Sequence, residues 1–194
     1  MACGPGVAGR RGCFIKVAYY DLECFQFSPH EGILLCCGIY PAGGEPYVIY
    51  QGRKGANDKR LVAAVKKELS KYDLLFGFNS LTFDWRYINS RCLKWGLGRI
   101  PHKLHCDLYR EAKKIFKTTK FTRCSLATIC RTLGIKGKGG EEKGHVDLDH
   151  WCKVAYGGDR ESLKKIVRHC KEDIMVLEPL FRVLSDNIVS ISKA

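Results

Sequence analysis

The chain has 194 residues, enough for one well-cored domain with little left over for a second. Hydrophobic residues make up 45% and charged residues 27%, the balance of a soluble globular protein, and no run approaches the roughly 18 apolar residues that span a bilayer. With 33 Lys+Arg against 20 Asp+Glu, the formal net charge of +13 favours polyanions: nucleic acid first, an acidic membrane surface second, an acidic protein partner third.

Met1 to Gly12 is rich in Gly and Ala and carries Arg10 and Arg11 but lacks a continuous apolar stretch, so residues 1–12 read as a flexible tail and the protein as intracellular. Cys13 to Glu23 (CFIKVAYYDLE) has the β-branched and aromatic content of a strand. Gly32 to Tyr40 and Pro46 to Gln51 read as two more, joined by the turn-rich PAGGE into a hairpin. From Asn57 to Lys71 the period changes: Leu61, Val62, Val65 and Leu69 share a helical face. Asp73 to Phe78 is a short apolar run suited to a strand covered on both faces. Thr82 to Trp95 reads as a helix ending at Gly96, and Lys103 to Cys106 as a short strand, with Asp107 able to cap the next helix. Ser125 opens a helix that stops near Gly134, before the lysine- and glycine-rich loop IKGKGGEEKG. The last helix starts near Asp159, with an apolar stripe from Leu163 to Leu184, and Pro179 is expected to kink or split it. The sum is one α/β domain over residues 13–190, a mixed sheet of about five strands flanked by α-helices.

Eleven cysteines in a chain without an export signal read as reduced, mostly buried thiols. None forms a CxxC pair; His102 and His105 near Cys106, and His145 and His150 near Cys152, are the nearest approach to zinc-ligand spacing.

The acids carry the chemistry. Asp21 and Glu23 are two apart on a strand and therefore point to one face, where paired carboxylates repel unless a proton or a cation compensates. A hard divalent ion wants oxygen ligands of this kind, although a lone DxE also fits two solvated acids at a strand end. Asp84 falls in the first turn of a helix five residues after the buried strand ends at Asn79; there the helix dipole alone would favour it. His169 and Asp173 are four apart on one helical face, with Asp173 on the shoulder of the apolar stripe.

Taken together, these three segments resemble the motifs of the DEDD exonuclease superfamily, which includes polymerase proofreading domains and small stand-alone proteins with a ribonuclease-H-like fold. The family's DxE corresponds to Asp21 and Glu23, its NxxxxD to Asn79 and Asp84, and its terminal acid to Asp173; the HCDLY strand end and the SLATICRTLGI helix also fit, so the resemblance runs from about Phe14 to Leu184. It implies a metal-dependent 3′–5′ exonuclease that hydrolyses phosphodiester bonds of single-stranded DNA or RNA. Two Mg²⁺ or Mn²⁺ ions would be held by Asp21, Glu23, Asp84 and Asp173. Asn79 would hold a backbone or the substrate, Phe25 and Trp85 would stack on terminal bases, and Arg86, Lys136, Lys138 and Lys143 would contact phosphates.

One feature departs from the family. Its fifth residue is Tyr with three residues before the last acid, or His with four. Here His169 has the tyrosine spacing, and Arg168 occupies the usual histidine position. Imidazole there could still orient or deprotonate water. Three alternatives stay open: a catalytically silent nucleic-acid-binding module, a ribonuclease-H-like endonuclease, and a subunit of a larger replication or repair assembly.

Overall fold

The structure is a computed structural model that describes residues 15–51, 57–116, 125–135, 147–185 and 192–193. The tail at 1–12 and the loop carrying Lys136, Lys138 and Lys143 lie outside the described residues.

Strands β1 (Val17–Phe25), β2 (Ile33–Pro41) and β3 (Tyr47–Tyr50) form an antiparallel meander. Helix α1 (Lys59–Leu69) then leads to β4 (Leu74–Gly77), α2 (Asp84–Lys94), β5 (Leu104–Asp107) and α3 (Leu108–Ile115). After them come α4 (Leu126–Thr132), α5 (Leu148–Cys152), a π-helical turn at Lys153–Gly157, α6 (Arg160–Leu184) and the two-residue β6 (Ser192–Lys193). The sheet order is β3-β2-β1-β4-β5-β6, with β4 parallel to both β1 and β5. This is the mixed sheet flanked by helices that the sequence predicts, with the short β6 added at one edge.

The two faces of β1 explain the layering. Ala18, Tyr20 and Leu22 pack with Leu61, Val62 and Val65 of α1 and Trp85, Ile88 and Cys92 of α2. Tyr19, on the opposite face, packs with Phe76, Cys106, Ile174 and Leu177 beneath α6. Asp21 and Glu23 follow Tyr19 at the two-residue period and so share the face that α6 covers. Gly38, the cross-strand partner of Asp21, lets that helix come close: a Cβ there would lie 2.9 Å from both Cys170 Sγ and Ile174 Cγ2.

Helix ends follow the sequence. Asp107, Ser125 and Asp159 cap α3, α4 and α6, each side chain accepting a backbone N–H of the first turn. Gly96 and Gly134, just past α2 and α4, take φ of +68° and +67°. Pro179 does not split the last helix, which runs from Arg160 to Leu184 as one element. Leu177 before the proline and Leu180 and Leu184 after it are buried in the same cluster, and that packing outweighs one lost backbone hydrogen bond. Helix α5 and the π-helical turn have no counterpart among the predicted elements.

A buried ion pair ties α1 and α2 to the meander. Asp58, at the entry to α1, and Arg91 of α2 are both fully buried and paired. The Asp58 carboxylate also accepts from Leu34 N at 2.7 Å and Trp95 Nε1 at 2.7 Å, while Arg91 reaches the carbonyl of Pro29 at 2.9 Å. Asp58→Ala leaves the guanidinium buried without its counter-charge and should cost about 3–5 kcal/mol of stability. Urea unfolding checks this: the midpoint should fall, and Asp58→Ala combined with Arg91→Met should recover part of the loss.

Candidate metal centre

The parallel register sets the position of the acids. Tyr19 of β1 pairs with Phe76 of β4, and Gly77 pairs with Asp107 of β5, so the three strands end at one edge of the sheet. Beyond β4 the chain turns sharply through Asn79, which takes the left-handed conformation (φ +58°) that Asn tolerates. Asn79 O accepts from Thr82 N and Phe83 N at 3.2 and 3.1 Å, and the turn delivers Asp84 to the first position of α2.

Asp107 fixes that turn from the next strand. Its carboxylate accepts from Asn79 N (2.8 Å), Leu81 N (3.1 Å) and Tyr109 N (3.1 Å), serving two segments at once. Behind the turn His105 is fully buried, with Nε2 3.0 Å from Ser80 Oγ and 3.3 Å from Tyr20 Oη. Burial depresses its pKa to about 4 and keeps the ring neutral.

Asp84 is 4% exposed and accepts from Leu22 N at 3.1 Å, which locks its carboxylate against β1 between the two acids of that strand. Its pKa is pushed up to about 7, first by burial, with the Leu22 N–H working against the rise. Asp21, half-buried, is held well above the carboxylate range by burial, then by the negative charges of Asp84, Glu23 and Asp173. Four acids from β1, α2 and α6 thus act on one another. His169 completes the edge: its Nε2 lies 3.7 Å from Glu23 Oε1 and 3.9 Å from Asp173 Oδ2, with its ring edge-on to Trp151.

The chemistry of this donor set fits a divalent cation. Mutually repelling, partly desolvated carboxylates are costly without positive charge among them, and their oxygens are the ligands hard ions take. Asp21 and Glu23 offer oxygens within 4.8 Å of each other and of Cys170 Sγ. The other such group among the described residues is Asp147, Asp149 and His150. Both ring nitrogens of that histidine are engaged, Nδ1 with Ser162 Oγ at 3.0 Å and Nε2 with Lys165 Nζ at 3.2 Å. Neither group contains Cys106 or Cys152, the cysteines nearest zinc-like spacing in the sequence.

The remaining expected site residues fall in different places. Phe25, at the end of β1 and two residues past Glu23, meets Tyr156 edge-on with ring centroids 5.2 Å apart. Trp85 is turned into the core, 6% exposed and edge-on to His105, and offers no face to a base. Arg86 is exposed on the first turn of α2. In the sequence Asp107 reads only as a helix cap and Cys170 only as a position in an apolar stripe. Trp151 and Tyr156 carry no signal there, because the short elements that hold them have no marked periodicity.

A family model for the RNase_H superfamily matches residues 18–185, which takes in every element from β1 to α6. The chain belongs to the RNase_H superfamily. Over 139 residues it is 22% identical to a DNA polymerase of Methanocaldococcus jannaschii, covering 56% of this chain and 8% of the polymerase. An uncharacterized protein of the same archaeon is 25% identical over 174 residues, 87% of this chain and 95% of its own length. Among solved structures, the family B DNA polymerase from the hyperthermophilic archaeon Pyrobaculum calidifontis superposes with a TM-score of 0.65 at 20% identity, covering 88% of this chain and 24% of that one. Brucella melitensis NrnC gives a TM-score of 0.57 at 19% identity, over 93% of this chain and 78% of NrnC. NrnC with bound Mg²⁺ gives the same TM-score at 20% identity. This RNase_H-superfamily chain thus shares its fold with one part of a much longer polymerase and with most of a smaller protein. No helix among the described residues is long and apolar enough to cross a membrane.

Two tests follow from the geometry. Because the Asp21 and Asp84 pKa values are raised, the folded chain keeps protons that the unfolded chain has released between about pH 4 and 7, so stability falls as pH rises through that window. A divalent ion that binds the deprotonated cluster should offset the loss. The gain in Tm on adding Mg²⁺ should therefore be larger at about pH 8 than at about pH 5.5. Equal gains would mean that these carboxylates do not hold the ion; the His105 contribution cancels in the comparison. Separately, Asp107→Ala orphans backbone N–H groups of the turn and should cost about 1–3 kcal/mol, with a weaker Mg²⁺ effect on Tm. An unchanged Mg²⁺ effect would show that Asp84 holds its place without Asp107.

Proposed function

We propose that this chain is a metal-dependent nuclease that removes nucleotides from the 3′ end of single-stranded DNA or RNA. The observation that carries the reading is the convergence of Asp21 and Glu23 from β1, Asp84 from α2 and Asp173 from α6 at one edge of an RNase_H-superfamily sheet. The Mg²⁺ bound to the structurally similar NrnC supports the choice of ion.

In this reading the four carboxylates would hold two Mg²⁺ or Mn²⁺ ions, with Asp21 the acid on which the other three act most directly. Such ions lower the pKa of an attacking water and stabilise the leaving 3′ oxygen. The side chains do the rest. Asp84, locked by Leu22 N, keeps its geometry as charge develops. His169, with Nε2 facing Glu23 and Asp173, orients a water or takes its proton at that nitrogen. Phe25 and Tyr156 supply an aromatic edge beside the acids for a terminal base. Arg86, Lys136, Lys138 and the net charge of +13 attract the phosphate backbone without reading sequence. The product is a nucleoside 5′-monophosphate, and an intracellular setting suits the free thiols among the described cysteines.

End-labelled single-stranded DNA and RNA incubated with Mg²⁺ or Mn²⁺ test the proposal. A ladder shortening from the 3′ end, abolished by EDTA and by Asp84→Ala, is the expected result; internal cuts, or cleavage that survives Asp84→Ala, would overturn it. His169→Ala should slow turnover by about 10²–10⁴. Near-normal turnover would remove His169 from the chemistry.

A further inference from the structure

Cys170 follows His169 on α6 and is fully buried, with its thiol turned toward the acids rather than away from them. Its Sγ lies 3.8 Å from the carbonyl oxygen of Asp21 and within 4.8 Å of a carboxylate oxygen of both Asp21 and Glu23. The Cys36 thiol, on the strand paired with β1, meets it from the sheet side. Gly38 is what allows this: a side chain there would strike Cys170 Sγ, so the thiol is held at the inner edge of the acid cluster. Nothing in the proposed cleavage uses a sulfur, and a hard ion such as Mg²⁺ keeps to the oxygens.

We propose that Asp21, Glu23 and Cys170 together form a binding site for a thiophilic divalent ion, Zn²⁺ or Cd²⁺, that overlaps the site of the hard ions. The inference rests on the reading of these acids as metal ligands but not on the chain being a nuclease. Two carboxylates and one thiolate are a donor set that borderline and soft ions bind and Mg²⁺ does not distinguish. The ion replaces the thiol proton, which passes to solvent, and the new bond joins Sγ to the metal. The three ligand atoms already lie within 4.8 Å of one another, so a modest closure brings them to a common ion. An ion so held occupies the carboxylates that Mg²⁺ needs, so it blocks any chemistry that depends on them.

The test is Cd²⁺ titration of the reduced, full-length, Mg²⁺-free protein, followed by the sulfur-to-cadmium charge-transfer absorption in the ultraviolet. One tight equivalent should develop the band. Cys170→Ser should remove it, Asp21→Asn should weaken binding at least about tenfold, and Cys36→Ser should keep it. A band that persists in Cys170→Ser, or that ignores Asp21→Asn, would overturn the proposal by placing the cadmium on other cysteines. Because Asp21→Asn leaves the thiol in place, the pair of variants decides the matter even where the serine variant folds poorly. Absorption reports the ion whether or not nucleic acid is cut, so a chain that binds Cd²⁺ here yet cleaves nothing would refute the nuclease reading alone.

Discussion

Four carboxylates drawn to one edge of a sheet repel one another, and the rest of this structure is arranged so that they cannot move apart. Asp21 and Glu23 are fixed by the pairing of β1 on both sides, antiparallel to β2 and parallel to β4. Asp84 is held by a backbone N–H of β1 itself, so the acid from α2 and the acids from β1 share one hydrogen-bonded frame. Asp173 arrives on α6, a helix anchored along its length by Ile166, Cys170, Ile174, Leu177, Leu180 and Leu184. Burial raises the pKa values of both Asp21 and Asp84, and the neighbouring acids raise that of Asp21 further. Apolar packing of tens of side chains supplies the stability against which that local cost is set.

The supporting shell is polar where it must be directional. Asp107 does with two hydrogen bonds what packing could not: it fixes the orientation of the Asn79 and Leu81 N–H groups in the turn before Asp84, while a third caps α3. His105, Ser80 and Tyr20 fill the space behind that turn with a neutral network, which avoids adding another charge beside the acids. On the far side of the sheet, Asp58 and Arg91 join β2, α1 and α2 through a fully buried ion pair. The first two devices act on the segment between β4 and α2, and the third holds α2 itself against α1 and the meander.

Much of this was legible in the sequence because strands and amphipathic helices have fixed periods. The DxE of β1, the turn at Asn79, the caps at Asp107, Ser125 and Asp159 and the shoulder position of Asp173 all follow from local rules. What escaped depends on packing between elements distant in the chain. Nothing near Trp85 signals that its ring turns inward onto His105. Cys170 reads as one more apolar position until Gly38, on another strand, is seen to seat it beside Asp21 and Glu23. Pro179 was expected to break or bend α6 by its own chemistry, and the leucines around it keep the helix in one piece.

The irregular histidine shows how spacing outranks residue type. A shift of one residue turns a side chain by about 100° around a helix. Arg168, at the spacing where a family histidine would stand, is exposed and pairs with Glu172 on the outer face of α6. His169, one turn before Asp173, brings Nε2 to within 4 Å of both Glu23 and Asp173. A histidine placed at position 168 of this helix would therefore point to solvent. The tyrosine spacing is the one that reaches the acids from a helix seated at this angle, and it brings an imidazole nitrogen to them in place of a phenol.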